Sequence, residues 1–475
     1  MSELVAASVA AWCGGDLRGD PRTAFRGVSI DSRKIAAGEL FVAIQGPRHD
    51  GHDHVAAAAA AGAAGAVVRR GFALPASLPG SFCVIAVDDT TRALGAIAAG
   101  HRALFRGPLV AITGSNGKTT TKEMCAAILE VAAPCLKTAG NLNNEYGLPL
   151  TLLRREPRHA SVVVELGMNH RGEIARLAAI AKATVGVLCN VGTAHIEHLG
   201  SREAIAEEKG DLLAALPPSG VAAVNADDAL SDAQAARSRA RALRFGLSAK
   251  ADVRGHDVRE LPAGYAFRLR APQGETRIEV AGLAETSVQN ALAACAGALG
   301  AGAALADLAP GLAAYAPVRG RLQPLALPGD LVVVDDTYNA NPQSMEVALR
   351  ALAQPRGDGP VRRIAVLGDM GELGGESERA HRAAGALAAR LGIDLLFAVG
   401  AHAREVAEAA RAGGLANARI HVEADAERAA DAVLAVLLPR DRVLVQGSRS
   451  MRMERVVDRI AEAHGAPRAG AGESH

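Results

Sequence analysis

A short loop between an apolar strand and a helix carries the side chains best suited to chemistry. Its glycines let backbone N–H groups point inward at an anion, and the N-terminus of the helix adds positive potential. Lys118 can reach the terminal phosphates of a nucleotide, and the hydroxyl of Thr119 can bind Mg²⁺. Ile112 stands where the common P-loop pattern has glycine, which indicates a variant of that loop. The predicted phosphate-binding residues are Thr113, Gly114, Ser115, Asn116, Gly117, Lys118, Thr119 and Thr120.

Candidate metal ligands follow two other predicted strands. Glu165 ends an apolar strand at 161–165, where a carboxylate next to the loop would suit Mg²⁺. His195 follows a strand at 185–190, and Lys209 lies on the helix after it. Because the carboxyl ends of parallel strands meet at one edge of a sheet, we expect these side chains near the loop. The alternatives are a capping or ion-paired glutamate and a structural histidine.

Two other polar stretches are compatible either with a role in the binding site or with capping of a turn or helix. Asp335 and Asp336 end a strand at 331–334 and point to opposite faces, so one of them is expected to face the cleft. The turn at 141–147 (NLNNEYG) carries amide groups that can bind a substrate or cap a turn. From the residues alone, capping is the favoured interpretation of this turn.

Length and composition limit the class of protein. A chain of 475 residues suggests about three domains, and its net charge of +1 argues against nucleic acid as a partner held by bulk charge. The six cysteines are scattered without a C-x-x-C pair, which favours free thiols over disulfides or a zinc site. No signal peptide and no apolar run long enough for a membrane span are evident. We therefore expect a cytoplasmic protein.

The order of predicted elements indicates an α/β protein with three domains. Residues 1–88 mix short strands and helices in a small N-terminal domain. Residues 89–316 alternate buried strands with helices, as in a doubly wound sheet that binds a nucleotide. Residues 317–465 contain four more apolar strand cores, which predicts a second α/β domain of Rossmann-like type. The Gly- and Ala-rich tail at 466–475 is predicted to be disordered.

Taken together, these motifs resemble the Mur ligase family, the ATP-dependent amide-forming enzymes of peptidoglycan precursor synthesis. The loop at 113–120 is similar to the family form T-G-[ST]-x-G-K-[ST]-[ST], which lacks the earlier glycine. The resemblance runs over nearly the whole chain, roughly residues 25–460. Further stretches that carry it are 31–34 (DSRK), 140–149 (GNLNNEYGLP), 335–342 (DDTYNANP), 367–374 (LGDMGELG) and 447–449 (GSR).

The resemblance implies a reaction and its participants. ATP would drive the joining of D-alanyl-D-alanine to UDP-N-acetylmuramoyl-tripeptide through an acyl phosphate, giving the pentapeptide, ADP and phosphate. The implied cofactors are ATP and Mg²⁺, with two metal ions. The enzyme is expected to be a cytoplasmic monomer that serves cell-wall synthesis, cell shape and division. Whether the third peptide residue is meso-diaminopimelate or lysine stays open.

The resemblance also implies roles for single residues. Lys118 and Thr119 would bind the ATP phosphates and Mg²⁺, and Glu165 and His195 would hold the metal. Lys209 matches a family lysine that is often carbamylated. The other implied contacts are Asn290 with adenine, Arg321 and Asp336 with the nucleotide, Asn141, Asn143 and Asn144 with the muramoyl peptide, Ser32 and Arg33 with the UDP end, and Ser448 and Arg449 with substrate.

The chain departs from the family pattern at two places. Thr286-Ser287 stand where relatives have His-Asn, close to Asn290, and Gln446 stands where they have lysine. Two other functions remain open at this stage. A folylpolyglutamate synthetase would share the loop and the ligase chemistry, and a nucleotide-gated module would hydrolyse ATP without ligation.

Overall fold

In the computed structural model, which describes residues 4–46, 49–355 and 361–465, three separate β-sheets follow one another along the chain. Helices pack on the sheets, because strands that are apolar on both faces need cover on both sides. This confirms the α/β class with three domains. The predicted disordered tail at 466–475 lies outside the described residues.

The first unit is built on a mostly parallel sheet. Its elements are α1 (Ala6–Cys13), β1 (Asp16–Arg18), β2 (Val28–Ser29), β3 (Leu40–Val42), α2 (Val55–Ala60), β4 (Gly65–Arg69) and β5 (Cys83–Val87). The strand order is β1-β5-β4-β3-β2, with β1 antiparallel to β5. The strands predicted near 40–44 and 83–88 are β3 and β5, each slightly shorter than expected.

The central unit, which the structure describes in full, is built on a nine-stranded sheet. Its elements are α3 (Thr90–Ala103), β6 (Leu109–Thr113), α4 (Lys118–Glu130), β7 (Cys135–Lys137), α5 (Gly147–Leu153), β8 (Ser161–Glu165), α6 (Glu173–Ala181), β9 (Val185–Leu188), α7 (Ile196–Leu199), α8 (Arg202–Ala214), β10 (Val221–Asn225), α9 (Ala229–Ala233), β11 (Arg241–Gly246), β12 (Val253–Leu261), β13 (Gly264–Ala271), β14 (Gly274–Ala281), α10 (Thr286–Gly300) and α11 (Leu305–Ala314). The strand order is β14-β13-β12-β11-β10-β9-β6-β8-β7.

This sheet has two parts of different character. From β7 to β12 the neighbouring strands are parallel, as the apolar runs of β8 and β9 predicted for those two strands. β12, β13 and β14 form antiparallel hairpins that extend the sheet at one edge, so the sheet is mixed. This extension is not evident from the sequence, since these strands carry many charged residues and are partly exposed.

The third unit contains the strands that were predicted in the C-terminal part of the chain. Its elements are β15 (Gln323–Leu327), β16 (Leu331–Asp336), α12 (Pro342–Ala353), β17 (Arg363–Gly368), α13 (Ser377–Arg390), β18 (Leu395–Val399), α14 (Ala403–Ala412), β19 (Ile420–Glu423), α15 (Ala426–Leu434), β20 (Arg442–Gln446) and α16 (Glu454–Ala463). The order is β15-β16-β20-β17-β18-β19, parallel except for β15. The edge strands β15 and β19 were not predicted.

The strand register decides which residues meet at the edges of the sheets. In the central sheet β6 lies between β8 and β9, so Ile112 pairs with Glu165 and Thr113 with Leu188. The loop after β6 therefore starts next to the carboxyl end of β8. Parallel strands of a doubly wound sheet place their ligand sites at this edge.

The described residues also agree with two expected absences. All six cysteines lie in the described ranges and are free, as the sequence predicted. Within the same ranges, no helix is both long and apolar enough to cross a membrane.

Candidate functional site

The loop between β6 and α4 has a backbone that only glycine permits at its last position. Gly117 has a φ of 79°, and α4 begins immediately after it. A Cβ atom on Gly117 would lie 2.1 Å from Oδ1 of Asn290, so the side chain of Asn290 packs against the loop. The loop therefore combines a left-handed turn with a helix N-terminus, which is a geometry that binds phosphate.

Neighbouring strands fix the first half of this loop. The hydroxyl of Ser115 accepts a hydrogen bond from the N–H of Gly192 (2.8 Å). The N–H of Asn116 donates to Oδ1 of Asn190 (2.9 Å), whose amide nitrogen donates back to the carbonyl of Asn116 (3.0 Å). The segment after β9 thus holds the loop in place.

Lys118 is folded back onto its own loop. Its Nζ donates to the carbonyl oxygens of Gly114 (2.7 Å) and Ser115 (3.2 Å). Burial lowers the pKa of Lys118. An ammonium held inside the loop is positioned to meet an anion that the loop encloses.

Lys209, on α8, is a second buried lysine near Lys118. It is 1% exposed, and burial together with the charge of Lys118 lowers the pKa of Lys209 well below its usual value. The neighbouring Glu208 does not neutralise it by hydrogen bonding, since its carboxylate accepts the N–H groups of Gly172 and Ile174. Among the described residues, the Nζ of Lys209 has no hydrogen-bond partner.

Glu165 is the buried carboxylate of the site, 2% exposed. Its Oε2 accepts a hydrogen bond from the hydroxyl of Thr119 (2.9 Å), and its Oε1 accepts one from Nδ2 of Asn143 (2.7 Å). Its own N–H donates to the hydroxyl of Thr138 (3.1 Å). The structure therefore brings Glu165 to the loop, as the sequence predicted from its position at a strand end.

The three asparagines of the polar turn have different positions. Asn143 reaches Glu165, whereas Oδ1 of Asn144 accepts the N–H groups of Tyr146 (3.2 Å) and Gly147 (2.9 Å). Asn144 therefore caps the start of α5, which was the favoured interpretation of the whole turn. Asn141 is exposed.

His195 connects the central unit with the third unit. Its backbone has a φ of 65°, which is uncommon for a residue other than glycine. Its Nδ1 lies 2.6 Å from Oε2 of Glu372, which follows β17. Contact with His195 is the main cause that lowers the pKa of Glu372. The charged partner that the structure gives His195 thus comes from a different sheet.

Further contacts bring the third unit against the phosphate loop. Nδ2 of Asn341 donates to Oδ1 of Asn116 (2.7 Å). The guanidinium of Arg321 lies 3.9 Å from the centre of the Tyr338 ring, and one of its nitrogens lies 3.5 Å from the hydroxyl of Thr119. The start of α12 and the segment before β15 therefore face the loop.

Asp335 and Asp336 point in different directions, as predicted. Asp335 accepts hydrogen bonds from the N–H (3.1 Å) and hydroxyl (2.6 Å) of Thr337. Asp336 accepts the N–H of Leu322 (3.0 Å). Burial raises the pKa of Asp336 to about 7, although the charge of Arg321 acts in the opposite direction.

A large cavity lies between the first unit and α5. Its volume is about 890 Å³, and Ser29, Asp31 and Lys34 are among the residues that line it. Ser32 and Arg33, which the sequence analysis assigned to the UDP end, lie in the same turn. Arg33 is directed to solvent, 85% exposed, and forms an ion pair with Asp31 (2.9 Å).

The segment after β20 lies at the same edge of the third sheet as Asp336. Ser448 is buried and its N–H donates to the carbonyl of Asp369 (2.8 Å), while Arg449 is exposed. Gln446 is fully buried, and its Nε2 donates to the hydroxyl of Ser344 (3.3 Å). Its Oε1 is buried without a hydrogen-bond partner among the described residues, and a lysine at this position would need a partner for its charge.

The sequence analysis did not predict a role for Lys122, one helical turn after Lys118. It is fully buried, and its Nζ donates to the carbonyl of Thr138 (2.7 Å) and lies 2.9 Å from Oε1 of Glu123. Because Thr138 also binds Glu165, Lys122 connects the helix after the loop to the segment that supports this carboxylate. A second lysine on the buried face of α4 was the available signal.

Comparison with protein families gives three matches in chain order. The profile described as "Mur ligase family, catalytic domain" matches residues 24–102. The profile "Mur ligase middle domain" matches residues 112–298, and "Mur ligase, glutamate ligase domain" matches residues 320–449.

Individual relatives match over nearly the full length. The chain is 38% identical over 455 residues to UDP-N-acetylmuramoyl-tripeptide–D-alanyl-D-alanine ligase of Escherichia coli, covering 94% of this chain and 96% of that protein. The crystal structure of MurF from Acinetobacter baumannii superimposes with a TM-score of 0.86 at 33% identity, covering 96% and 98% of the two chains. The crystal structure of MurF ligase from Thermotoga maritima in complex with ADP superimposes with a TM-score of 0.78 at 28% identity, covering 92% of this chain and 97% of that chain.

The raised pKa of Asp336 predicts a pH-dependent stability. An unfolded chain loses this proton near pH 3.9 and the folded chain near pH 7, so the folded state holds an extra proton in between. The contribution of Asp336 to the free energy of unfolding therefore falls by on the order of 2–4 kcal/mol as pH rises from about 4 to about 7. Asp336→Asn removes the titration and keeps an oxygen for the N–H of Leu322.

The measurement is the free energy of unfolding of both proteins by denaturant at pH 5, 6, 7 and 8. We expect the variant to be more stable than the parent at pH 8, with a difference that shrinks toward pH 5. If the free energies of unfolding of the two proteins changed with pH in the same way, the raised pKa of Asp336 would be contradicted.

Proposed function

The chain belongs to the Mur ligase family, and on this premise we propose that it joins D-alanyl-D-alanine to UDP-N-acetylmuramoyl-tripeptide with cleavage of ATP. The products are UDP-N-acetylmuramoyl-pentapeptide, ADP and phosphate, in the synthesis of peptidoglycan precursors. The main support for the proposal is that Lys118, Thr119 and Glu165 lie together at one loop. The third unit packs against the same loop.

The nucleotide is assigned to the loop after β6. Its backbone N–H groups and Lys118 hold the phosphates, and the loop residues involved are Thr113 to Thr120. Asn290, which packs against Gly117, is assigned to the adenine side. Arg321 and Asp336 contribute from the third unit, and the proximity of Arg321 to Thr119 supports this assignment.

Mg²⁺ is assigned to the oxygen atoms next to the loop. The carboxylate of Glu165 and the hydroxyl of Thr119 are the hard oxygen ligands that this ion prefers, and they already face each other. His195 and Lys209 complete the proposed set, which we expect to serve two ions. Bound Mg²⁺ would neutralise phosphate charge and orient the γ-phosphate for attack.

Lys209 fits a carbamate better than an ordinary ammonium. Its amine is buried, has a lowered pKa and has no hydrogen-bond partner among the described residues. A neutral amine can attack the carbon of CO₂ and release its proton to solvent, which leaves an N-carboxylate. This change would place beside Lys118 an anion that can bind Mg²⁺ and balance the charge of Lys118.

The proposed reaction has two steps. The terminal carboxylate of the tripeptide attacks the γ-phosphorus of ATP, so that ADP leaves and an acyl phosphate forms. The amine of D-alanyl-D-alanine then attacks the acyl carbon, loses a proton and expels phosphate. Lys118 would offset phosphate charge, and Asn143, whose side chain donates to Glu165, is assigned to the muramoyl peptide. No protein nucleophile is required.

The remaining substrate contacts are proposed from the family pattern. Ser32 and Arg33 are assigned to the UDP end, and their turn also lines the 890 Å³ cavity through Asp31 and Lys34. Asn141 and Asn144 are assigned to the muramoyl peptide. Ser448 and Arg449 are assigned to substrate at the edge of the third sheet.

We place the domain boundaries at 88/89 and 316/317. The last strand of the first sheet ends at Val87, and α11 ends at Ala314, before the third sheet begins. Rotation about residues 314–320 would open and close the third domain over the nucleotide. We expect the enzyme to act as a monomer in the cytoplasm.

The experiment that tests this function measures ADP release with each substrate omitted in turn. ADP should appear at a sustained rate only when ATP, UDP-muramoyl-tripeptide and D-alanyl-D-alanine are all present. Lys118→Ala should lower this rate at least about a hundredfold, because no other group in the loop supplies that charge. Lys250→Ala, at an exposed lysine, is the matched control and should retain the rate.

Two results would contradict the proposal in different ways. Turnover with a folate and glutamate, but not with the muramoyl peptide, would identify a folylpolyglutamate synthetase. ADP release that does not depend on D-alanyl-D-alanine would favour an ATP-hydrolysing module. Near-normal turnover of Lys118→Ala would overturn the assignment of the loop.

A second prediction concerns the carbamate. Lys209→Ala should lower kcat at least about a hundredfold, and added short carboxylic acids such as acetate should restore at least about a tenth of the lost activity. The same acids should not rescue Lys118→Ala, whose missing group is a cation. Absence of rescue at every acid concentration would count against the carbamate.

A further inference from the structure

A second cavity lies between α3 and α6, next to the asparagine turn. Its volume is about 570 Å³. Gly95, Ala96 and Ala99 of α3 and Leu177 and Ile180 of α6 form an apolar wall. The small side chains on α3 leave space for an aliphatic chain between the two helices.

Residues close in sequence to the proposed reaction site line this cavity. Gly167 and Asn144 line it. The N–H of Gly167 donates to the carbonyl of Asn143 (2.9 Å), and the side chain of Asn143 binds Glu165. A carboxylate activated next to Glu165 therefore has the cavity at its side.

The asparagine turn separates this cavity from the larger one. Leu142 lines the 890 Å³ cavity, and Asn144 and Glu145 line the 570 Å³ cavity. A substrate whose nucleotide end occupies the larger cavity must pass this turn to bring its carboxylate to Glu165. The side chain of its last residue then meets the second cavity.

Charged groups of both signs surround the apolar wall. Arg92 and Arg176 line the cavity together with Glu145 and Glu173. In the described part of the chain, Arg176 has no ion-pair partner. The carboxylate of Glu173 accepts the N–H of Asn169 (2.7 Å) and lies 3.2 Å from Nδ1 of His170, which also lines the cavity, so it is held at the rim.

We propose that the 570 Å³ cavity binds the side chain of the third residue of the muramoyl tripeptide, and that its rim selects a zwitterionic end, that of diaminopimelate, over the single ammonium of lysine. This inference rests on the proposed function. The apolar wall covers the methylene groups, a guanidinium binds the distal carboxylate, and a rim glutamate binds the distal ammonium.

A lysine at the third position of the tripeptide can make only one of these two charged contacts. Its ammonium can bind Glu145 or Glu173, but it brings no anion for Arg92 and Arg176. The guanidinium groups would keep their positive charge beside that ammonium, which weakens its binding. The two arginines of the rim therefore determine the preference for diaminopimelate over lysine. Arg176 contributes more than Arg92, because Arg92 also lies 3.6 Å from Asp89.

The test compares kcat/KM for two UDP-muramoyl tripeptides that differ only in meso-diaminopimelate or lysine at the third position. The full-length enzyme should prefer diaminopimelate at least about tenfold, the value of one charge-assisted hydrogen bond. Arg176→Gln should reduce this preference at least about fivefold. Arg106→Gln, at another exposed arginine, should keep it.

A variant that fills the cavity tests the location independently of charge. Ala99→Leu should raise KM for both tripeptides at least about fivefold and leave KM for ATP unchanged. The inference is overturned, and the proposed function is kept, if the enzyme uses both tripeptides equally or prefers the lysine tripeptide. A smaller effect of Arg176→Gln or of Ala99→Leu than expected has the same meaning. If neither tripeptide supports ADP release that depends on D-alanyl-D-alanine, the proposed function itself fails.

Discussion

The carboxylate of Glu165 is the constraint on which the arrangement of the site depends. A buried carboxylate needs hydrogen-bond donors, and its two oxygens take them from Thr119 and Asn143. These donors belong to the helix after the phosphate loop and to the asparagine turn. A strand end in the central sheet thus fixes the distance between the nucleotide loop and the segment assigned to the peptide.

Charge balance is the second physical feature of the site. Lys209 is buried and Lys118 is half-buried; burial lowers the pKa of both amines, and the charge of Lys118 lowers the pKa of Lys209 further. Such a pair is costly unless anions join it. Phosphate at the loop and a carbamate on Lys209 would supply those anions.

The sequence allowed the central elements of this site to be predicted because they are local. The loop at 113–120 and the strand that ends at Glu165 are recognisable from short runs of residue types. Contacts between distant segments were not predictable in this way. The approach of Glu372 to His195 depends on how the third sheet packs against the second. The charged hairpins β12 to β14 lack the apolar runs that identify buried strands.

One measurement tests the acyl-phosphate route most directly. The tripeptide is prepared with ¹⁸O in its terminal carboxylate and converted with ATP and D-alanyl-D-alanine. An acyl-phosphate intermediate predicts that one ¹⁸O atom per turnover appears in the released phosphate and that the other stays in the new amide carbonyl. Pentapeptide formation with unlabelled phosphate would contradict it, because the carboxylate would not have attacked the γ-phosphorus.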